Sequence, residues 1–213
     1  MLWERRASDA CRASWDRLYE RRGTVWRGPP EFVALGTEGR VVELGCGDGK
    51  TLAGLLGRGQ TVVGLDYSTK GIDTCARRVA GNRELDLVVG DALSIPFAND
   101  TFGAVVACHI LEHLMSEERE KTVAEIWRVT ARGGAILVRS FSTSDMRCGK
   151  GNEVEAGTFV RGDRIPYHYF DLEELGDLFR AFERESLAEI RTARVFSGQK
   201  HHRAIIEGLF KKR

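Results

Sequence analysis

The sequence predicts an α/β fold: a mostly parallel sheet with helices on both faces and a C-terminal antiparallel hairpin. Three observations carry this. Short apolar runs alternate with segments of helical period from Arg40 onward, the rhythm of a sheet fed by crossover helices. The first run, Val41-Val42-Glu43-Leu44, ends directly in glycines, as a strand turning into a helix does. The last two runs, near Leu187 to Val195 and Arg203 to Phe210, have no helical segment between them and so should pair as a hairpin.

Taken in order, Trp3 to Glu20 reads as an amphipathic helix, with Trp3, Ala7, Cys11, Trp15 and Leu18 at helical spacing. Gly23, Gly28 and Pro29-Pro30 then break the chain. After the first strand, Lys50 to Leu56 is helical and Thr61 to Leu65 is the second strand. Ser68 can cap a helix that carries Ile72, Cys75, Ala76 and Val79 on one face. Leu85 to Val89 and Phe102 to Ile110 are the third and fourth strands. Val123, Ile126 and Trp127 mark a helix expected to stop near Gly133-Gly134, before a fifth strand at Ala135 to Val138. Ser140 to Phe170 is polar, dotted with glycine and without period; so long a stretch suits a functional loop or a small insertion. Asp171 with Glu174 has the form of a capping box opening a helix with Leu175, Leu178, Phe179 and Phe182. The expected organisation is a single domain over 1–213: a helical lid (1–37), a ligand-binding core (38–140), an insertion (141–170), and a C-terminal helix and hairpin (171–213).

Composition narrows the function classes. The chain has 213 residues, 42% hydrophobic and 30% charged, enough for a buried core and ordinary for a globular protein. A formal net charge of +1 exerts no global pull on nucleic acid or membrane, although Arg5-Arg6, Arg21-Arg22 and Lys211-Lys212-Arg213 are locally basic. The five cysteines contain no C-x-x-C pair, so neither a disulfide framework nor a metal site is expected. Free thiols point to a reducing compartment and a cytoplasmic location. No stretch approaches the roughly 18 apolar residues of a membrane span. The Arg-rich N-terminus is interrupted by Glu4, Asp9, Asp16 and Glu20, unlike a transit peptide.

The chemistry concentrates after the strands. Glu43-Leu44-Gly45-Cys46-Gly47-Asp48-Gly49 turns a strand tightly into a helix, whose N-terminal N–H groups suit an anionic group. The spacing departs from the dinucleotide fingerprint, because the third glycine arrives one residue early and Lys50 follows. Asp66, ending the second strand beside Tyr67, can accept hydrogen bonds from both hydroxyls of a ribose. It would also suit a helix N-terminus without any ligand. Gly90-Asp91-Ala92 can contact a base, or serve only as a turn. Cys108-His109 lies at the carboxyl end of a central strand, where open α/β sheets bind ligands, and His113 reads as a packed or surface histidine.

This ordered set, with Ile95-Pro96-Phe97, Ile110-Leu111-Glu112-His113 and Arg132-Gly133-Gly134, resembles the Rossmann-like class I S-adenosylmethionine-dependent methyltransferases over roughly residues 38–140. Within them it is similar to the small-molecule and RNA branch. The resemblance implies that Glu43, Gly45, Cys46 and Gly47 line the methionine end, that Asp66 and Tyr67 border the ribose, and that Asp91 and Ala92 contact the adenine. Cys108 and His109 would lie near the sulfonium. Trp15-Asp16-Arg17-Leu18-Tyr19 with Trp26 is similar to the lid of tellurite-resistance-like and thiol-type methyltransferases. That likeness implies an aromatic cover containing Trp15 and an arginine, Arg22 or Arg27, paired with the cofactor carboxylate. The same residues equally suit a helix packing its apolar stripe on the domain. Tyr167-His168-Tyr169-Phe170 resembles a segment of tRNA wobble-uridine methyltransferases.

Methyl transfer from a sulfonium needs positioning above all, worth on the order of 7–11 kcal/mol for well-oriented reactants, and a base only when the acceptor arrives protonated. His109, Tyr167 and His168 are the candidate acceptor contacts. Three functions follow from the residues: a methyltransferase acting on a small molecule, which is favoured; an RNA-modifying member, cued by the basic clusters; and a non-catalytic cofactor-binding module, against which the intact glycine and acidic positions argue.

Overall fold

A computed structural model describes residues 2–25, 35, 39–56, 61–196 and 199–213. Helix α1 (Leu2–Arg22) precedes strand β1 (Val41–Leu44), α2 (Lys50–Leu56), β2 (Val62–Asp66), α3 (Thr69–Arg78), β3 (Leu85–Val89) and β4 (Phe102–Cys108). A 3₁₀ turn (Leu111–His113) leads to α4 (Ser116–Val129) and the long β5 (Thr130–Phe141). Three short strands follow, β6 (Asn152–Glu155), β7 (Thr158–Val160) and β8 (Pro166–His168), then α5 (Leu172–Leu178), β9 (Glu183–Phe196) and β10 (Gln199–Lys211).

The main sheet runs in the order β3-β2-β1-β4-β5-β10-β9. The first five strands are parallel, and β10 is antiparallel to both β5 and β9. Strand order reverses at β1, and the loops after β1 and β4 therefore diverge and leave a crevice at the carboxyl ends. Every residue of β1 and β2 is buried, as a parallel sheet covered on both faces requires. On one face Val42, Leu44, Val105 and Val138 pack with Ile126 and Val129 of α4 and with Leu175 of α5. Phe179 stacks on Phe210 there, with ring centroids 4.8 Å apart. The other face packs Val41, Val62, Val106 and Leu137 against Leu52 and Leu55 of α2 and Cys75 of α3.

Local signals act as expected at the caps. Ser68 accepts the Gly71 N–H at 3.0 Å, and Asp171 accepts that of Glu174 at 2.8 Å. Three boundaries differ from expectation. Helix α4 stops at Val129, not near Gly133-Gly134, because the Thr130 hydroxyl donates to the Ile126 carbonyl at 2.6 Å and the backbone turns extended. Gly133, in the left-handed region at φ +74°, then lies within an irregularity of β5, which extends the strand in both directions beyond Ala135 to Val138. Strand β4 ends at Cys108, not Ile110, because His109 takes φ +59° and turns the chain. The aperiodic stretch after β5 holds a small antiparallel sheet, β6-β7-β8, seated beside the 3₁₀ turn.

Candidate functional site

The crevice at the strand ends is a cavity of about 590 Å³. Its floor is the glycine turn after β1. There the carboxylate of Asp66 accepts N–H groups from Gly47 and Ser68, each at 2.8 Å, tying the turn to the end of β2. Burial raises the Asp66 carboxyl to about 6, although those two N–H bonds oppose the rise. Gly47 has φ +52°, and a Cβ there would overlap the Tyr19 hydroxyl, so only glycine meets both demands. Glu43 is buried beneath the turn; its Oε2 has no hydrogen-bond partner among the described residues, and burial holds its carboxyl well above the usual range.

One wall is α1. Asp16 accepts the Ser68 hydroxyl at 2.6 Å, Tyr67 donates to Cys11 Sγ at 3.3 Å, and Glu20 pairs with Lys70 at 3.3 Å. These contacts latch α1 to the start of α3 and bring Trp15 and Tyr19 onto the cavity. At the opposite side, Asp91 accepts the Leu93 N–H at 2.9 Å, so the turn that presents Ala92 is held by the aspartate itself.

The far end is built after β4. His109 Nδ1 lies 2.7 Å from Glu112 Oε1, and Glu112 Oε2 accepts the Ser140 hydroxyl at 3.0 Å. Burial alone would raise the Glu112 carboxyl, but His109 and His113 outweigh it and hold it below its ordinary value. The buried carboxylate thereby orients an imidazole on the cavity wall. Phe141, Arg139 and the paired residues Ile190–Ile205 and Thr192–Arg203 of the hairpin complete this end.

The expected site residues thus separate. Trp15, Glu43, Gly45, Cys46, Asp66, Tyr67, Asp91, Ala92, Cys108 and His109 all line the cavity. Gly47 stands behind the wall, joined to it through its N–H. Arg22 is exposed and is not among the lining residues; Trp26 and Arg27 lie outside the described residues. Tyr167 lies outside the lining, with its hydroxyl donated to Asp163 at 2.6 Å and its ring against His113. His168 also lies away from the cavity: its two ring nitrogens are engaged by Thr158 Oγ1 at 2.7 Å and Glu174 Oε1 at 2.8 Å. His168→Ala is expected to lower the unfolding free energy by about 1–3 kcal/mol, the cost of buried partners left unmatched. A urea titration reads this, and an unchanged midpoint would show that the ring holds nothing together. Lys212 of the basic C-terminus is buried, donating to Asp100 and the Thr130 carbonyl at 2.7 Å each, so it serves the fold. Tyr19, part of the expected lid motif, also lines the cavity, whereas the wall residues missed in the sequence, His113, Phe141, Arg139 and Arg203 among them, come from elements joined by long-range packing.

Residues 42–138, the glycine turn through β5, match the family model described as a methyltransferase domain. A SAM-dependent methyltransferase of Methanosarcina mazei superposes with a TM-score of 0.68 at 21% identity, covering 85% of this chain and 94% of that one. The fold is the Rossmann-like one of these methyltransferases, and residues 42–138 resemble their domain in sequence. Among curated relatives, the demethylmenaquinone methyltransferase of Clavibacter sepedonicus is 35% identical over 104 residues, 49% of this chain and 42% of that protein. The tRNA N(3)-cytidine methyltransferase METTL2 of Gallus gallus is 28% identical over 156 residues, 66% of this chain and 41% of that protein. The chain thus matches less than half the length of either relative.

Proposed function

We propose that this chain transfers a methyl group from S-adenosylmethionine to an acceptor, with a small molecule as the favoured acceptor class. The observation that carries the reading is the pairing of two buried carboxyls at the glycine turn. Glu43 Oε2 has no partner among the described residues, and a ligand ammonium group supplies both a donor and the opposite charge. Asp66 presents a buried carboxylate at the end of β2, suited to a pair of ribose hydroxyls. Glu43 and the glycine turn would hold the amino-acid end, Asp66 the ribose, and Asp91 with Ala92 the adenine. When bound, the sulfonium supplies an electrophilic methyl carbon. Trp15 and Tyr19 of α1 exclude water from that side of the cavity. His109, held by Glu112, is the acceptor contact able to take up a proton.

Among the described residues no helix is long and apolar enough to cross a membrane. The free cysteines favour a reducing, cytoplasmic setting. An RNA acceptor is the second reading, favoured by the tRNA activity named for several relatives. Salt-dependent retention of RNA on the immobilised chain separates it from the first.

Calorimetry with S-adenosylhomocysteine tests the core of the proposal, with one-to-one binding expected and none to a nicotinamide dinucleotide. The affinity is expected to stay level above pH 7 and to fall below about 6, where Asp66 takes up a proton and loses an acceptor oxygen. The stability contribution runs the other way. The raised carboxyl favours the folded state fully below the ordinary range near 4, and that advantage is lost as pH rises through about 6. An affinity independent of pH between about 5 and 8 would remove Asp66 from the ribose.

A further inference from the structure

His113 reads in the sequence as a packed or surface histidine, and in the structure its ring nitrogens have opposite fates. Nδ1 lies 2.8 Å from the carbonyl oxygen of Pro166, at the start of β8. A carbonyl only accepts, so the neutral ring carries its hydrogen on Nδ1 and leaves a lone pair on Nε2. That Nε2 is buried and has no hydrogen-bond partner among the described residues. The residue is only 7% exposed, yet it forms part of the cavity wall beside His109. Three aromatic rings meet it nearly at right angles and fix its plane: Trp15 at 4.9 Å, Tyr167 at 5.2 Å and Phe141 at 6.1 Å.

We propose that His113 forms an acceptor-binding subsite, its Nε2 taking a hydrogen bond from an un-ionised N–H or O–H on a planar acceptor ring. The inference rests on the methyltransferase reading for the word acceptor, and on geometry for the rest. A buried acceptor atom with no partner costs the folded chain free energy, and a ligand donor removes that cost. The aromatic neighbours Trp15 and Phe141, which share the wall, offer flat apolar surface to a ring. Burial also keeps the imidazole neutral, against the pull of Glu112. The charged and titratable groups facing it are Glu112 and His109 from its own turn, and Asp163 behind Tyr167; Trp15 and Phe141 add none.

The test compares phenol with anisole, two flat rings of which only phenol has an O–H. Binding to the full chain is measured with and without S-adenosylhomocysteine, while nitrogen NMR of labelled histidine reads the tautomer. The expected results are an unprotonated Nε2 that shifts on adding phenol, and phenol bound about tenfold more tightly than anisole, the value of a single hydrogen bond. His113→Phe should erase that preference and leave affinity for S-adenosylhomocysteine intact. A proton on Nε2, equal binding of the two rings by the wild-type chain, or a phenol preference that survives His113→Phe would overturn the subsite. If His113→Phe does not fold, the wild-type comparison and the tautomer decide it. Failure to bind S-adenosylhomocysteine would instead overturn the methyltransferase reading, because the phenol preference is read separately.

Discussion

Asp66→Ala is expected to weaken S-adenosylhomocysteine binding more than about a hundredfold while changing the stability of the fold little. Two hydrogen bonds from ribose hydroxyls to a carboxylate are worth about 1.5–3 kcal/mol each, and a tenfold change in affinity is about 1.4 kcal/mol. The stability side is a near balance. Near pH 7 a buried carboxyl raised to about 6 disfavours the folded state by about 3 kcal/mol, which the substitution relieves. Against that, the N–H groups of Gly47 and Ser68 lose their partner, at about 1–3 kcal/mol each. The two changes oppose each other, so folding alone gives little reason for an aspartate here, and ligand binding supplies one. Calorimetry and urea denaturation of the same variant check both halves. Strong destabilisation with wild-type affinity would reverse the argument and make Asp66 a scaffold residue.

The core of the fold was legible because its signals are local. Strands β1, β2 and β4 are buried and, like the more exposed β3, read as short apolar runs, and Ser68 and Asp171 mark their helix starts by side-chain chemistry that acts within three residues. Gly133-Gly134 misled because the same pair that ends a helix can also kink a strand, and pairing of β5 with β4 and β10 decides between them. The short strands β6 to β8 showed no alternation because β6 is largely exposed and β7 and β8 have three residues each. The site divides along the same line. Glu43, Asp66, Asp91 and His109 sit at strand ends and could be placed by counting. The far end depends on contacts no local pattern records, such as His113 with Pro166, 53 residues apart, and Arg139 with Glu207, 68 apart. Tyr167 and His168 look alike in sequence, being polar aromatic groups on β8, but alternation along the strand sends neighbours to opposite faces.

That far end has its own keystone in Asp145, and Asp145→Ala is expected to destabilise the chain by about 3–5 kcal/mol, the cost of breaking a buried charge pair. The residue is 3% exposed and its carboxylate takes five donors: the Arg147 N–H at 3.0 Å, Arg147 Nε at 2.8 Å and Nη2 at 3.3 Å, Arg203 Nε at 2.9 Å and the Ala204 N–H at 3.1 Å. Burial pushes the carboxyl up, but these donors outweigh it and bring it down to about 2. A depressed carboxyl stabilises the fold above its unfolded value near 4, and that contribution disappears as pH falls toward about 2. The gap between variant and wild type should therefore narrow on acidification, which distinguishes lost charge pairing from lost packing. Structurally, the pair of bonds to Arg203 and Ala204 clips the start of β10 to the loop after β5. Arg147, held by the same carboxylate, lies 4.2 Å over the ring of Phe141. Without Asp145, two guanidinium groups and two backbone N–H groups lose a common partner, and the wall made by Phe141 and Arg203 loosens with them. The glycine turn does not depend on this clip, so cofactor affinity should persist in the folded fraction while acceptor-side binding declines. Denaturant titrations near pH 7 and pH 2 measure the effect, and a loss below about 1 kcal/mol at neutral pH would place Asp145 among ordinary surface pairs.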